Sequence, residues 1–171
     1  MAMPRKLKNQ NIFNDANSYQ GIAKTITLPD LTRKLEAWRG AGMDGGVGAD
    51  LGMGDDLLKI EWTVGGLDLI SLRQFGITNA SGVALRWAGA YQQDDNGAVT
   101  KVEVVARGRH ETYSFGDAEA GEDTEHTITT ACTYYKLVVD GVEEIEIDIL
   151  GMIFKVNGVD ILAEQRAAIG L

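Results

Sequence analysis

Two histidines, His110 and His126, are the residues of this sequence best suited to hold a metal ion. They flank an acidic segment that contains Glu122 and Asp123, and both imidazole and carboxylate groups serve as zinc ligands. However, neither an H-x-x-x-H nor a C-x-x-C spacing is present, and we expect the segment and both histidines to be solvated. We therefore predict that the protein holds no metal ion.

Three glycines, Gly40, Gly42 and Gly45, match the G-x-G-x-x-G pattern of dinucleotide-binding turns. Such a turn needs a strand before it, a helix after it and an acidic residue about 20 positions further on. Here more glycines follow, the rest of the chain has an antiparallel character, and no Gly-Lys-Ser/Thr sequence offers a phosphate loop. Asp94–Gly97 resembles the start of a calcium loop but lacks the later oxygen ligands, so it is interpreted as a turn. We predict no cofactor.

Candidate nucleophiles also lack the surroundings that catalysis requires. Ser71 and Ser81 stand outside any G-x-S-x-G elbow. Cys132 lies in the middle of a predicted strand, where a buried and inert thiol is expected. Carboxylates are abundant, but abundance alone does not identify an acid and base pair. The sequence therefore predicts no catalytic residue, and we expect a protein that is not an enzyme.

The charge of the chain argues against nucleic-acid recognition. Its 171 residues, enough for one domain, carry a formal net charge of −9, with acidic residues concentrated in segments 111–125 and 140–148. Proteins that bind nucleic acid specifically show the opposite sign, because Lys and Arg neutralise phosphates. No apolar run reaches the roughly 20 residues of a membrane span, and the basic N-terminal residues are not followed by the apolar region of a secretory signal. We expect no membrane anchor.

Strands dominate the elements that would position these residues. Leu58–Val64 alternates apolar and polar residues, which is typical of a half-buried strand. Ser81–Arg107 predicts a hairpin that turns at Asn96 and Gly97, a pair able to adopt positive φ. Thr127–Asp140 and Val142–Ile149 predict a second hairpin that turns at Asp140 and Gly141.

Two short helices are also predicted. Leu67–Phe75 spaces Leu67, Ile70 and Gln74 at helical intervals, and Asp160–Ala168 has Asp160 as its expected N-cap. Leu31–Trp38 fits either a helix face or a strand that follows the strand Gly21–Leu28. Gly40–Gly54 has too many glycines for the interior of a packed element, so we expect a long flexible or extended excursion.

Blocks of residues along the whole chain resemble a known family. They are Met3–Leu7, Ser18–Gly21, Leu28–Glu36, Arg39–Met43, Asp50–Gly52, Arg107–Arg109, Gly121–Asp123, Cys132–Tyr134, Asn157–Asp160 and Ile169–Leu171. In this order and spacing the sequence resembles the major tail tube proteins of contractile-tailed phages and of R-type pyocins, which are headless tail particles. The resemblance implies a mainly β (α+β) chain: an antiparallel β-sandwich or barrel-like fold with one flanking helix and a short C-terminal helix. It also implies that Leu31–Trp38 is extended.

The same resemblance implies a function by assembly. Copies would form six-membered rings that stack into a tube. A tail sheath protein would surround the tube. Inside it would lie a tape measure protein, or DNA that passes through without being bound specifically. A baseplate initiator and a tail terminator would begin and end the tube, and assembly would take place in the bacterial host cytoplasm before the tube forms part of the virion tail. Sequence leaves two alternatives open: the tube of a type VI-like or extracellular contractile injection system, and a monomeric small-molecule-binding β-barrel.

Two sets of residues are predicted to make the functional contacts of such a single domain, residues 1–171. The N-terminal arm (1–17) and the glycine-rich loop (43–55) are candidates for contacts between stacked rings, unless the loop is merely disordered. The candidate stacking residues are Arg5, Lys6, Met43, Asp44, Val47, Asp50 and Leu51. One face of the last predicted strand, with Glu144, Glu146 and Asp148, is the candidate lining of the lumen, where acidic groups would let DNA slide. The alternative is that this face is solvated outer surface or meets the sheath.

Overall fold

A computed structural model describes residues 2–171, which form strands and two short helices. In chain order the elements are β1 (Arg5–Asn14), β2 (Asn17–Ser18), β3 (Ala23–Thr27), β4 (Arg33–Trp38), β5 (Val47–Met53), β6 (Leu58–Val64), α1 (Leu69–Gln74), β7 (Val83–Gln93), β8 (Val99–Ser114), β9 (His126–Val139), β10 (Val142–Asp148), β11 (Ile153–Val156), β12 (Val159–Asp160) and α2 (Ala163–Ala168). The predicted mainly β fold is confirmed.

Ten of these strands form one antiparallel sheet, and β4 and β5 form a separate two-stranded sheet. The long strand β9 organises the large sheet. It pairs with β8 on one side, and on the other side with β6 along its first half and with β10 along its second half. From β8 the sheet continues through β7 to β1 and β2, and from β10 it continues through β11 to β12.

The large sheet curls around one core, so that strands from its two ends approach each other. The Gln10 side chain on β1 donates a hydrogen bond to the Lys24 carbonyl oxygen on β3 at 3.1 Å. Inside, the rings of Tyr19 and Trp62 meet edge to face with centroids 5.2 Å apart. The core is completed by apolar residues of six strands, chiefly Ile12, Ile60, Val64, Val83, Leu85, Trp87, Val104, Ile128 and Ile147. Alternating burial on β6 confirms the half-buried strand predicted there, although Thr63 is buried as well.

Both predicted hairpins are present, with different turns. At Asp140 and Gly141 both residues have positive φ, of 47° and 80°, as a two-residue turn of the primed type requires. At the other turn only Gly97 has positive φ, so the prediction that Asn96 shares it is wrong. The Gly97 amide instead bonds to the Gln93 carbonyl oxygen at 2.8 Å, which makes a longer turn.

The two helices are shorter than predicted. Asp68 caps α1 by accepting hydrogen bonds from the amides of Ile70 and Ser71. The prediction that Asp160 is the N-cap of the last helix is wrong, because Asp160 lies in β12 and the helix begins at Ala163. The Asp160 carboxylate still supports that helix, since it accepts from the Leu162 amide at 3.1 Å and from Arg166 at 2.5 Å.

The ambiguous segment Leu31–Trp38 is extended, as the resemblance implied, and forms β4. Its partner is unexpected. Val47–Met53, within the glycine-rich segment, forms β5, so the expectation that this segment is too rich in glycine for a strand is wrong in its second half. Gly52 lies at an irregularity in the pairing and has a φ of +107°. A residue with a side chain would adopt this φ only with strain.

Candidate assembly surfaces

The two histidines are buried, and the expectation that they lie near solvent is wrong. His110 Nδ1 is 2.9 Å from the Thr130 hydroxyl, and its Nε2 is 3.1 Å from Gln74 Oε1. Burial lowers the pKa of His110 to about 4, so the ring is neutral near pH 7. His126 Nδ1 is 3.1 Å from the Tyr113 hydroxyl. These contacts fix packing, and within residues 2–171 no group of three or more His, Cys, Asp or Glu is arranged to hold a metal ion.

The other sequence motifs also have structural roles. Gly40–Gly45 connects two antiparallel strands, β4 and β5, and therefore lacks the helix of a dinucleotide site. Cys132 is buried, and desolvation raises its thiol pKa to about 12. The Ser71 hydroxyl bonds to the Asp68 carboxylate that caps α1. Among the described residues, no helix is long and apolar enough to cross a membrane.

Polar side chains attach α1 to the sheet. Gln74 exchanges hydrogen bonds with Asn14, at 2.7 Å and 3.0 Å, and also donates to Asp15 at 2.6 Å. At the other end of the helix, the Tyr19 hydroxyl donates to Asp68 at 2.7 Å. Burial and the neighbouring carboxylate raise the pKa of Tyr19, so it remains a donor. The inner face of this helix is thus polar and fully engaged.

The outer face of α1 and its flanks is apolar, which the sequence reasoning missed. Leu67, Leu69, Ile70 and Phe75 are each 43–68% exposed, whereas Ser71 and Gln74 are buried. An ordinary surface helix has the reverse arrangement, with its apolar side toward the core. The signal in the sequence is the stripe of Asp68, Ser71 and Gln74, whose three-residue spacing marks the side of the helix that faces the sheet.

The hairpin of β4 and β5 is the second exposed apolar feature. Its strands pair only with each other in the described chain, and Leu35, Trp38, Val47 and Leu51 are each more than half exposed. Ion pairs hold its base, where Arg33 is 3.0 Å from Asp50 and lowers the pKa of that carboxyl by hydrogen bonding. A two-stranded hairpin alone is at best marginally stable in water. Within residues 2–171 this hairpin thus carries four large apolar side chains that its own chain leaves more than half exposed.

The predicted stacking residues lie in two separate places. Met43 and Asp44 are in the connection between β4 and β5, and Val47, Asp50 and Leu51 are on β5. Arg5 and Lys6 are exposed at the start of β1, opposite Gln93 and Gln92 of β7. Of the predicted arm (1–17), Met1 lies outside the described residues, and most of the rest belongs to the large sheet.

The predicted acidic face of β10 is only partly acidic. Strict alternation breaks at Glu144, where the pairing with β9 skips a residue. As a result Glu143 joins Glu146, and hydrogen bonding to Glu146 raises the pKa of Glu143. Glu146 lies between Lys136 of β9 and Lys155 of β11, and Lys155 Nζ is 3.4 Å from it. The register shift interrupts the alternation on which the prediction that Glu144 shares a face with Glu146 and Asp148 rested.

The whole face of β7–β11 that points away from the core is close to charge balance, and we call it the outer sheet face. Its basic side chains are those of Arg86, Lys101, Arg107, Arg109, Lys136 and Lys155, and its acidic side chains are those of Glu103, Glu111, Glu143, Glu146 and Asp148. Several form ion pairs: Arg86 of β7 contacts Glu103 of β8, and Lys101, two residues before Glu103 on the same strand, lies 2.9 Å from it. The Asp148 carboxylate is engaged by the Gly151 amide at 2.9 Å.

Comparison with known proteins gives these surfaces a context. Residues 4–170 match the family described as phage tail tube protein FII. The chain is 52% identical to the tail tube protein of Escherichia phage P2 over the full length of both chains. It is 34% identical to the major tail tube protein of Serratia phage KSP20, covering 100% of this chain and 99% of that protein. The match to a solved structure of the SPP1 Dit protein spans 75% of this chain and 52% of that protein, with a TM-score of 0.41 and 13% sequence identity. This similarity is too low to support an argument.

Proposed function

Because the chain belongs to the phage tail tube protein FII family, we propose that it is the inner-tube subunit of a contractile tail and forms stacked rings of six copies. The family is structural, and the protein is not an enzyme. Self-assembly into a tube of the phage tail is the role of the family. The observation that carries the more specific proposal is the hairpin of β4 and β5, which within residues 2–171 pairs with no other strand and leaves Leu35, Trp38, Val47 and Leu51 more than half exposed.

Magnitudes support assembly through several contacts at once. Burying a large apolar side chain contributes about 1.5–3 kcal/mol, so covering the hairpin's four half-exposed ones contributes roughly 3–6 kcal/mol. Association of two proteins costs an estimated 4–15 kcal/mol in lost freedom of motion. The hairpin alone therefore does not hold two copies together. A subunit in a closed and stacked ring makes several contacts at once, and each further contact adds stability without repeating the whole cost.

In this arrangement the hairpin and the start of β1 make the contacts between rings. Met43, Asp44, Val47, Asp50 and Leu51 would reach a copy in the next ring, and Arg5 and Lys6 would contribute from β1. A hairpin that extends from the domain suits this task because it can lie across a neighbour. Its glycines also permit close approach of the two backbones.

We further propose that the outer sheet face, whose acidic residues on β10 are Glu143, Glu146 and Asp148, lines the channel, with Glu144 beside it at the irregularity in the pairing. Its opposite side packs on the core, so this face is free to line a lumen, and strands at the sheet edges would pair with neighbouring copies to close a barrel. Charge balance would let DNA or a tape measure protein slide, since an excess of Lys and Arg would release counterions from DNA and bind it. The lining would thus act by paired charges rather than by excess acid.

The remaining partners follow from the proposed role. A sheath protein would surround the tube and drive it through the target envelope on contraction. A baseplate initiator would start the tube and a terminator would end it, after assembly in the host cytoplasm. Headless pyocin-like particles would use the same subunit.

Negative-stain electron microscopy of the purified protein, over a range of concentrations and salt, tests this function. Rings or hollow tubes of uniform diameter are expected, if necessary after adding a baseplate initiator. The variant Trp38→Ser, Val47→Ser should abolish tubes while leaving a folded monomer. The matched control is Val99→Ser, which removes an equally exposed apolar side chain from β8. Monomers that persist with the initiator present would overturn the proposal.

A charge-reversal variant tests the channel separately. Glu146→Lys would place three lysines side by side across β9, β10 and β11. Particles with this variant should still assemble but deliver DNA more slowly, whereas the exposed control Glu164→Lys on α2 should not change delivery. Normal delivery by the Glu146→Lys particles would remove this face from the channel.

A further inference from the structure

We propose that the apolar outer face of α1 is the surface on which the β4–β5 hairpin of a copy in the next ring docks. This inference rests on the proposed tube function and names the receiving surface for the hairpin. Two features of the chain support this inference. The helix α1 turns its polar side toward its own sheet and its apolar side outward, and the β4–β5 hairpin exposes apolar side chains as well.

The first step is that α1 cannot turn its apolar side inward. Gln74 is held by Asn14, Asp15 and His110, and Asp68 is held by the Tyr19 hydroxyl. Rotating the helix would break these bonds and leave buried polar groups unsatisfied. Leu67, Leu69, Ile70 and Phe75 therefore stay on the surface until another molecule covers them.

The second step is that one face of the hairpin matches this surface. In the pairing of β4 with β5, Trp38 lies opposite Val47 and Glu36 lies opposite Ala49. Residues two apart on a strand share a face, so these four side chains lie together, and Leu51 follows Ala49 on the same side. The result is an apolar face that carries a single acid, Glu36.

The third step is charge. Arg73 projects from the exposed side of α1, and Arg109 lies beside the following loop, where it donates to the Thr78 carbonyl oxygen at 3.3 Å. Within residues 2–171, neither arginine is paired with a carboxylate, and the hairpin acids Glu36 and Asp44 are not paired with a cation. Basic groups thus border the apolar helix face, and acidic groups border the apolar hairpin face. Such complementarity sets orientation and register at an interface.

The fourth step is area. The helix patch presents four large apolar side chains, and the hairpin face presents three, Trp38, Val47 and Leu51, all about half exposed. Leu35 lies on the opposite face of the hairpin. Each patch is smaller than the roughly 800 Å² per partner of a stable interface, so the contact is one of the several that a stacked ring requires.

Charge reversal with rescue tests the pairing. Arg73→Glu and Glu36→Arg should each lower the yield of tubes about tenfold or more, because like charges then meet across the interface. The double variant should recover most of that yield. Glu164→Arg on α2 is the matched control and should leave the yield unchanged. Normal yields for the single variants, or no recovery in the double variant, would overturn the pairing.

A cross-link locates the contact directly. Val47→Cys combined with Ile70→Cys should give a ladder of disulfide-linked copies when tubes assembled without sheath protein are oxidised. Each single variant should remain monomeric on a denaturing gel, because the native Cys132 is buried. Linked dimers from either single variant, or no ladder from the double variant, would contradict the proposal. Since wild-type tubes are examined in parallel, a failure of this pairing is distinguished from a failure to form tubes.

Discussion

Two hairpins of this protein are built from similar strands but hide their apolar residues in different ways. In the hairpin of β7 and β8, the alternate residues Val83, Leu85, Trp87 and Val104 are at most 4% exposed, because the strands lie inside the large sheet. In the hairpin of β4 and β5, Leu35, Trp38, Val47 and Leu51 are more than half exposed, and within residues 2–171 no third strand joins. The first hairpin is covered by its own chain, and we propose that other copies cover the second.

The contrast teaches that strand patterning predicts an element without predicting what covers it. Alternation brings the apolar side chains of β7 and β8 to one face, whereas in the β4–β5 hairpin Leu35 lies on the face opposite Trp38 and Val47. Only in the β7–β8 hairpin does the rest of the chain supply the opposite layer. A subunit that assembles can therefore divide its apolar surface between its own core and its contacts with other copies.

The largest expected difference is between two tryptophans. Trp62 is 0% exposed in the core, whereas Trp38 on the hairpin is 62% exposed. Trp62→Ala should lower the free energy of unfolding of the monomer by about 3–5 kcal/mol, because it leaves a cavity. Trp38→Ala should change it by less than about 0.5 kcal/mol, yet prevent tube formation. Urea unfolding and electron microscopy measure the two effects. Equal stability losses would show that the hairpin is part of the monomer's own core.

A matched pair of glycines gives the next largest difference. A methyl group at Gly108 on β8 would lie 2.1 Å from the Ala131 carbonyl oxygen, whereas at Gly48 on β5 its nearest neighbours are Leu35 side-chain atoms at 3.5 Å. Gly108→Ala should cost about 3 kcal/mol or prevent folding, since backbone must move. Gly48→Ala should leave the melting temperature nearly unchanged. Calorimetry of both variants checks this, and a tolerated Gly108→Ala would argue against the close approach of β8 and β9.

Acid should destabilise the core through His110. Its pKa of about 4 in the folded protein is below its ordinary value of 6.5, so between these values the unfolded chain binds a proton that the folded chain does not. The free energy of unfolding should therefore fall by about 3 kcal/mol as pH decreases from 6.5 to 4. His110→Gln should lack this contribution. The stability difference between wild type and variant, measured at several pH values, should shrink on acidification. A constant difference would contradict the neutral buried imidazole.

The smallest effect is expected for the ion pair at the base of the β4–β5 hairpin. Arg33 and Asp50 are both exposed by about a third or more, and such pairs contribute little. Asp50→Asn should leave the unfolding midpoint of the monomer unchanged within error. A clear loss of monomer stability would mean that the hairpin is more firmly attached to the large sheet than its pairing indicates.

Much of the fold could be predicted from local patterns. The alternation in Leu58–Val64 and the turn at Asp140 and Gly141 predict structure directly, because burial and positive φ depend on neighbouring residues. The strand β5 could not be predicted, since its glycines argue against a strand and only pairing with β4 makes it one. The burial of His110 was missed because its partners, Gln74 and Thr130, are distant in sequence.

The surfaces proposed for assembly could be predicted only in part. The glycines led to the prediction that segment 43–55 makes contacts between rings, which stays a prediction. The outward apolar side of α1 could not be predicted, because it depends on which side of the helix is fixed to the sheet. The interruption at Glu144 likewise depends on the pairing of β10 with β9, so alternation alone placed the wrong acid beside Glu146. Properties set by neighbouring strands lie beyond what one strand's pattern can predict.

Amide hydrogen exchange of the monomer and of assembled tubes tests the central claim most directly. The account predicts that β4 and β5 exchange quickly in the monomer and become protected in tubes, whereas β7 and β8 are protected in both. Protection of β4 and β5 in the monomer, or fast exchange of these strands in tubes, would contradict the claim that other copies complete this hairpin.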